Sequence, residues 1–289
     1  MWYAMGMRVI FMGTPDFAVP SLEAIIKSEH EVVAVVTQPD KQVGRGGKVE
    51  SPPVKIMAEK HGIPVLQPEN VSIEAESLKP FNADVIVTAA YGQFLRTNVL
   101  ELCKHGVINV HASLLPKYRG AAPIQWAILN GDEVTGVTIM QTELKMDTGP
   151  IILQSELEIG KDETAGELFN RLSDLGAASI VEVLDLIECG NATFTPQDDS
   201  LATSTKKITK EFGLLETTRS PQELHNFIRA LHPWPVAYFE WRGEIIRVHK
   251  SSIVDGKLVI ELLQAPGGKV VSLKDFLNGR RISREDLPL

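Results

Sequence analysis

Arg8-Val-Ile-Phe-Met12, Gly13-Thr-Pro-Asp16, Phe17-Ala-Val-Pro-Ser-Leu-Glu-Ala-Ile-Ile26 and Val32-Val-Ala-Val-Val-Thr37 follow one another as apolar run, turn, amphipathic stretch and apolar run. Phe17, Val19, Leu22, Ile25 and Ile26 fall on one helical side, with Thr14 the expected cap and Pro15 at the first helical position. Strand, helix and strand in that order make a β-α-β unit, the building block of a parallel sheet. The alternation continues outward. Ile63–Leu66, Val85–Ala89 and Val107–His111 read as a third, fourth and fifth strand, and helices fit Pro53–His61 and Arg96–Cys103. The expected fold is therefore α/β and Rossmann-like, with a mainly parallel sheet. The turn Gly13-Thr-Pro-Asp-Phe17 is not Gly-x-Gly-x-x-Gly, its proline lacks an amide for a pyrophosphate, and Asp16 adds negative charge, so dinucleotide binding is not expected. Asp16 serves the helix dipole or stands near substrate.

Gln38–Ser51 is a long loop with three glycines and the basic residues Lys41, Arg45 and Lys48, and loops of this length inside a domain are usually functional. Thr164–Cys189 has helical spacing with a weak point at Gly176. Gly190–Thr205, rich in Asn, Thr, Asp, Ser and Pro, reads as a linker. Ser220-Pro-Gln-Glu223 opens a helix with a capping box, and His232-Pro-Trp-Pro235 ends it. Ala237–Trp241, Ile245–His249 and Lys257–Leu262 then alternate as antiparallel strands, with turns at Arg242-Gly243 and Asp255-Gly256 and a last helix near Leu273–Asn278. Three parts are expected: a domain over 1–189, a linker over 190–205 and a small β-barrel domain over 206–289.

The chain has 289 residues, 44% apolar and 23% charged, and no apolar run approaches a membrane span of about 18 residues. Met1–Met7 has neither the basic start and apolar core of a secretory signal nor the arginines of a transit peptide, so a cytoplasmic protein is expected, with Met7 a second candidate start. Cys103 and Cys189 are too few for a disulfide framework or a zinc site, and each is expected to be a buried free thiol. The net charge of −8 divides unevenly, −12 over residues 1–205 and +4 over 206–289. An acidic body with a basic appendage is what a protein shows if only the appendage touches phosphates.

Asn109 and His111, two apart in one strand, point to one face at its carboxyl end, where open α/β sheets bind ligands. Met146-Asp147-Thr-Gly149 follows the apolar stretch Gly136–Met140 and brings a carboxylate into a tight turn. Taken singly, Asn109 reads as a turn cap, His111 as a strand-end histidine and Asp147 as a turn former. Together they supply a donor, an acid/base and a charged orienter, the parts that move an acyl group through a tetrahedral intermediate. No second histidine or thiol stands at metal-ligand spacing, and there is no nucleophile elbow or Cys/His pair, so the nucleophile is expected from a substrate and no metal is expected.

Asn109-Val-His111, Ser113-Leu-Leu-Pro-Lys-Tyr-Arg-Gly120 and Asp147-Thr-Gly149 resemble the signature of the folate-dependent formyltransferases. The Gly13–Phe17 turn, Gly44-Arg45-Gly46, Ala121-Ala-Pro-Ile-Gln125 and His232-Pro-Trp-Pro235 narrow the resemblance to the branch that acts on initiator tRNA, over nearly the whole chain. The resemblance implies a Rossmann-like formyltransferase domain followed by an OB-like barrel, expected here to be shortened after Val254. It implies transfer of a formyl group from 10-formyltetrahydrofolate to the α-amine of methionyl initiator tRNA; a monomer is expected. Asn109, His111 and Asp147 would be catalytic. Ser113, Leu114, Leu115 and Pro116 would line the folate site, backbone in Ala89–Leu95 would hold the pterin, and Arg45 and Lys207 would meet tRNA. An enzyme formylating a nucleotide-linked amino sugar and a formyltetrahydrofolate hydrolase are the rival readings; neither needs the Arg45 loop.

Overall fold

The computed structural model describes residues 6–43 and 47–288. They form two compact units, one from the described residues of Met1–Arg119, Gly136–Leu157 and Asn170–Thr203, the other from those of Gly120–Thr135, Glu158–Phe169 and Ser204–Leu289. The first unit is built on a seven-stranded sheet with the spatial order Ile151–Glu158, Val134–Gln141, Val107–His111, Val85–Ala89, Arg8–Gly13, Glu31–Val36, Val65–Leu66. The last five run parallel to their neighbours, as the β-α-β alternation requires. Val134–Gln141 is antiparallel to Val107–His111. Val9–Gly13 and Val85–Ala89 are buried at every position, the condition of strands covered on both faces. Ile10, Met12, Ala34, Val36, Ile86 and Leu78 pack into one core, each large aliphatic chain worth about 1.5–3 kcal/mol of burial.

Several local expectations need correction. Thr14 caps nothing; its hydroxyl donates to the Tyr91 carbonyl at 2.9 Å. A 3-10 turn, Asp16–Ala18, comes first, and the helix runs over Val19–Lys27 with Pro20 in its opening turn, where a missing N–H costs least. The expected helix at Arg96–Cys103 is a single turn, Thr97–Leu100, and Gly106 at φ 67° leads the chain into the next strand. The Gln38–Ser51 loop contains a short hairpin pairing Lys41–Val43 with Lys48–Glu50; Arg45 lies outside the described residues. Ile151–Glu158 is a strand the apolar pattern concealed, because its Glu and Gln residues suit a sheet edge. Cys103 is buried, and burial pushes its thiol up to about 11, but Cys189 is exposed just past the end of a helix.

That helix, Ala165–Glu188, passes through Gly176 unbroken. A Cβ there would stand 2.8 Å from Val110 Cγ1, so glycine is the residue that lets helix and strand approach.

The second unit carries an antiparallel sheet in the order Ala237–Trp241, Glu244–Val254, Lys257–Gln264, Val270–Ser272. Both expected turns have two consecutive left-handed residues, Arg242-Gly243 and Asp255-Gly256, the twist that suits a two-residue hairpin. Ser220 and Glu223 form the capping box of the helix Pro221–Ala230. Its Leu224, Phe227 and Ile228 pack with Phe239, Ile246 and Leu263. The buried Arg229 guanidinium on the same helix donates to the Gly160 and Glu163 carbonyls, both at 3.1 Å, so its charge is not left bare.

Candidate active site

The pairing of Val85–Ala89 with Val107–His111 sets Thr88 opposite Asn109. The Thr88 hydroxyl donates to Asn109 Oδ1 at 2.8 Å, which fixes the amide plane. Asn109 is half-buried, and no protein acceptor takes its Nδ2 hydrogens among the described residues. Two positions on, His111 is buried and its Nε2 lies 3.0 Å from the Tyr118 carbonyl oxygen. A carbonyl only accepts, so Nε2 carries the hydrogen and the neutral ring keeps its lone pair on Nδ1. Nδ1 faces Asp147 Oδ2 at 3.8 Å, too long for a hydrogen bond but close enough for an ion pair once the ring is protonated. The structure thus brings His111 and Asp147 together in the first unit, at the carboxyl end of a strand in which Asn109 stands two residues before His111.

Both flanking loops are in the left-handed region at non-glycine residues: Tyr118 at φ 62° and Asp147 at φ 53°. Such backbone costs about 1–3 kcal/mol per residue and persists only where its surroundings hold it. Thr203 holds Tyr118, its hydroxyl accepting from the Tyr118 N–H at 2.8 Å and its carbonyl from the Arg119 N–H at 2.8 Å. Gly149 tightens the other loop, since a Cβ there would fall 1.9 Å from the Gln141 carbonyl oxygen. The segment read as a linker therefore supplies part of the site's support. Sequence reasoning missed Thr88, Thr203 and Gln197, none of which belongs to a local pattern, since each acts through a residue many positions away; Arg119 lies inside the 113–120 signature, but its bond to Gln197 is not legible there.

Ser113 and Leu115 are buried, Leu114 and Pro116 half-buried. The Ser113 hydroxyl donates to the Lys117 carbonyl at 2.7 Å, the Thr138 hydroxyl donates to the Ser113 carbonyl at 2.6 Å and accepts the Leu115 N–H at 3.0 Å, and Gln154 donates to the Leu115 carbonyl at 2.8 Å. These bonds set the loop's backbone, leaving Leu114 and Pro116 as its partly exposed apolar surface. In the Ala89–Leu95 segment, Ala90 at φ 45° and Gly92 at φ 87° bend the chain, and the Tyr91 carbonyl accepts from Thr14 and Gln38. Burial, with the Glu74 charge second, raises the Tyr91 phenol above its ordinary value. In the second unit Lys207 is exposed, and the adjacent Lys206 carbonyl accepts from Trp126 Nε1 at 2.9 Å.

Among the described residues one cluster, His30, Asp185 and Glu188, has metal-ligand spacing. His30 Nδ1 accepts the Met7 N–H at 3.1 Å, so the neutral ring carries its hydrogen on Nε2, the atom 3.2 Å from Asp185 Oδ1. That is the arrangement of an N–H facing a carboxylate, and a cation would have to displace the proton first.

Fold and strand-end cluster fall in the formyl transferase class: the family model of that description matches residues 7–184, and that of the formyl transferase C-terminal domain matches residues 207–258. The methionyl-tRNA formyltransferase of Agathobacter rectalis is 51% identical over 252 residues, covering 86% of this chain and 81% of its own. That of Geobacter metallireducens is 43% identical over 96% of this chain and 97% of its own. This chain belongs to the methionyl-tRNA formyltransferase family. Among solved structures, the N-formyltransferase of Helicobacter canadensis in complex with folinic acid and dTDP-3-aminofucose shares the fold at a TM-score of 0.68 and 22% identity, over 92% of this chain and 98% of that one. Among the described residues no helix is long and apolar enough to cross a membrane.

Proposed function

We propose that this protein transfers a formyl group from 10-formyltetrahydrofolate to the α-amine of methionyl initiator tRNA, in the cytoplasm and as a monomer. The folate substrate supplies the activated one-carbon carbonyl; the chain's residues orient it and manage charge and protons. The amine nitrogen attacks the formyl carbon, the carbonyl oxygen gains negative charge, and the bond to the folate nitrogen breaks as that nitrogen takes a proton. Asn109 Nδ2, a donor with no protein acceptor among the described residues, serves the developing oxyanion, a contact worth about 2.7–4 kcal/mol in comparable sites. His111 works through Nδ1, its Nε2–H being committed to Tyr118. It takes the proton released by the attacking amine and delivers one to the departing folate nitrogen, so the enzyme returns unchanged. Asp147 stabilises the imidazolium from 3.8 Å.

The residues that would receive the folate fit an amphipathic ligand: half-buried apolar Leu114 and Pro116, and a backbone bend at Ala90–Gly92. Exposed Lys207 and the +4 charge of residues 206–289 support phosphate contact there, and Arg45 is proposed to meet the acceptor end on sequence grounds. The observation that carries the reading is the approach of His111 to Asp147 beside an unspent Asn109 donor, in a chain of this family. The test is an assay of purified protein with 10-formyltetrahydrofolate and charged initiator tRNA. Formyl should appear on the methionyl amine, not on uncharged tRNA; formate release without formyl-methionyl product would overturn the proposal in favour of hydrolysis.

A further inference from the structure

Asp147 has no regular secondary structure to hold it, yet its position decides whether a carboxylate stands beside His111. The side chain of Gln197, fifty residues further along the chain, is bound to the backbone on both sides of Thr148: its Nε2 donates to the Asp147 carbonyl at 3.0 Å and to the Gly149 carbonyl at 2.8 Å. Its Oε1 accepts from Arg119 Nε at 3.0 Å and from Arg119 Nη2 at 2.7 Å. Chemistry fixes the amide's orientation without ambiguity, since guanidinium groups only donate and carbonyls only accept. Arg119 is buried and is held in turn by Asp199, whose Oδ1 lies 2.7 Å from Nη2. Next to Arg119, Tyr118 presents the carbonyl that fixes the His111 tautomer. Thr203 binds the backbone of both residues.

We infer that Gln197, anchored by Arg119, is a positioning residue for Asp147, and that the segment 195–203 acts as a strap tying the Asp147 turn and the Tyr118–Arg119 loop into one geometry. The inference rests on the proposed role of Asp147 in formyl transfer. Two hydrogen bonds from one amide offset the strain of the left-handed backbone that Asp147 adopts at φ 53°. Without them the turn has cheaper conformations, and the carboxylate leaves His111. Gln197 touches no substrate in this scheme. Its effect on turnover is read through Asp147, and that makes it separable from a general contribution to folding.

Gln197→Glu keeps the shape and the Arg119 contact but places an acceptor against two carbonyls. Gln197→Met keeps the volume and removes every hydrogen bond. Each is expected to lower kcat by about 10–100-fold, the scale of a reacting group displaced by about 1 Å, with the KM for 10-formyltetrahydrofolate and for charged tRNA within about twofold of the parent. The deciding measurement is a double-mutant cycle with Asp147→Asn. In that background Gln197→Met should cost less than about threefold further in kcat, because the carboxylate it positions is already gone. An equal loss in both backgrounds, or a parent-like kcat in both single variants that fold, overturns the inference. Failure of the parent protein to formylate charged tRNA is a different result: it removes the proposed function itself.

Discussion

At the scale of single residues, the proposed site has the economy its chemistry needs: each of its donor side chains has one atom committed to the protein and one left over. Thr88 takes Asn109 Oδ1 and Tyr118 takes His111 Nε2, so Nδ2 of the amide and Nδ1 of the ring are the atoms left for chemistry. Asn109→Ala is predicted to lower kcat about 10²–10³-fold, with little change in melting temperature, since the residue is only half-buried and its partner Thr88 can turn its single hydroxyl hydrogen to the Ile108 carbonyl, 3.2 Å away. A steady-state comparison with the parent checks it, and turnover within a few-fold of the parent would remove Asn109 from the mechanism. Gly149→Ala tests the loop. The added methyl would meet the Gln141 carbonyl at 1.9 Å, a distance no rotamer relieves, so the backbone must move and carry Asp147 with it. The expected outcome is a lower kcat together with a stability loss of about 1–3 kcal/mol by denaturant titration.

At the scale of elements, the strand Val107–His111 does two jobs, packing through Val110 while presenting Asn109 and His111. Gly176, in the middle of the helix Ala165–Glu188, is what its packing demands. Gly176→Ala should gain about 1 kcal/mol of helix propensity but place a methyl 2.8 Å from a stiff, β-branched Val110, and overpacking of about 1–3 kcal/mol outweighs that gain. We predict a reduced melting temperature and a reduced kcat in the same variant, because Val110 lies between the two functional side chains; a stabilised, fully active variant would contradict the packing argument. This strand was legible in the sequence since its apolar run, the i, i+2 placement of Asn109 and His111 and its parallel partner all agree. The hairpin turns at Arg242-Gly243 and Asp255-Gly256 were legible for the same reason, a local rule with no rival. Thr14 was misread because a hydroxyl that suits an N-cap met a tertiary acceptor, Tyr91, 77 residues away. Gln197 was illegible outright: its partners lie 48, 50 and 78 positions away, and within its own polar segment nothing distinguishes it from a turn residue.

At the scale of the whole molecule, two titrations read different parts of the charge distribution. Burial depresses the ring pKa of His225, and burial followed by the neighbouring His249 depresses that of His232. A histidine with a depressed folded pKa binds fewer protons folded than unfolded. Its stabilisation is complete above the ordinary value of 6.5 and is lost as pH falls through the depressed value. The melting temperature should therefore drop as pH is lowered from 7.5 through 6, and His225→Gln should flatten part of that drop; an unchanged profile would mean that the ring binds protons equally in the folded and unfolded states. Salt reads the other part. Residues 206–289 carry +4 on a chain of net −8, so if this region grips tRNA phosphates, kcat/KM for charged tRNA must fall as ionic strength rises. Each phosphate contact contributes about 0.7–0.9 to the log–log slope, and Lys207→Ala should remove roughly one such contact from it. The KM for 10-formyltetrahydrofolate should stay nearly flat over the same range, because its proposed contacts are apolar and backbone. A common slope for both substrates would point to a salt effect on the fold, and a flat tRNA response would take the phosphate grip away from this region.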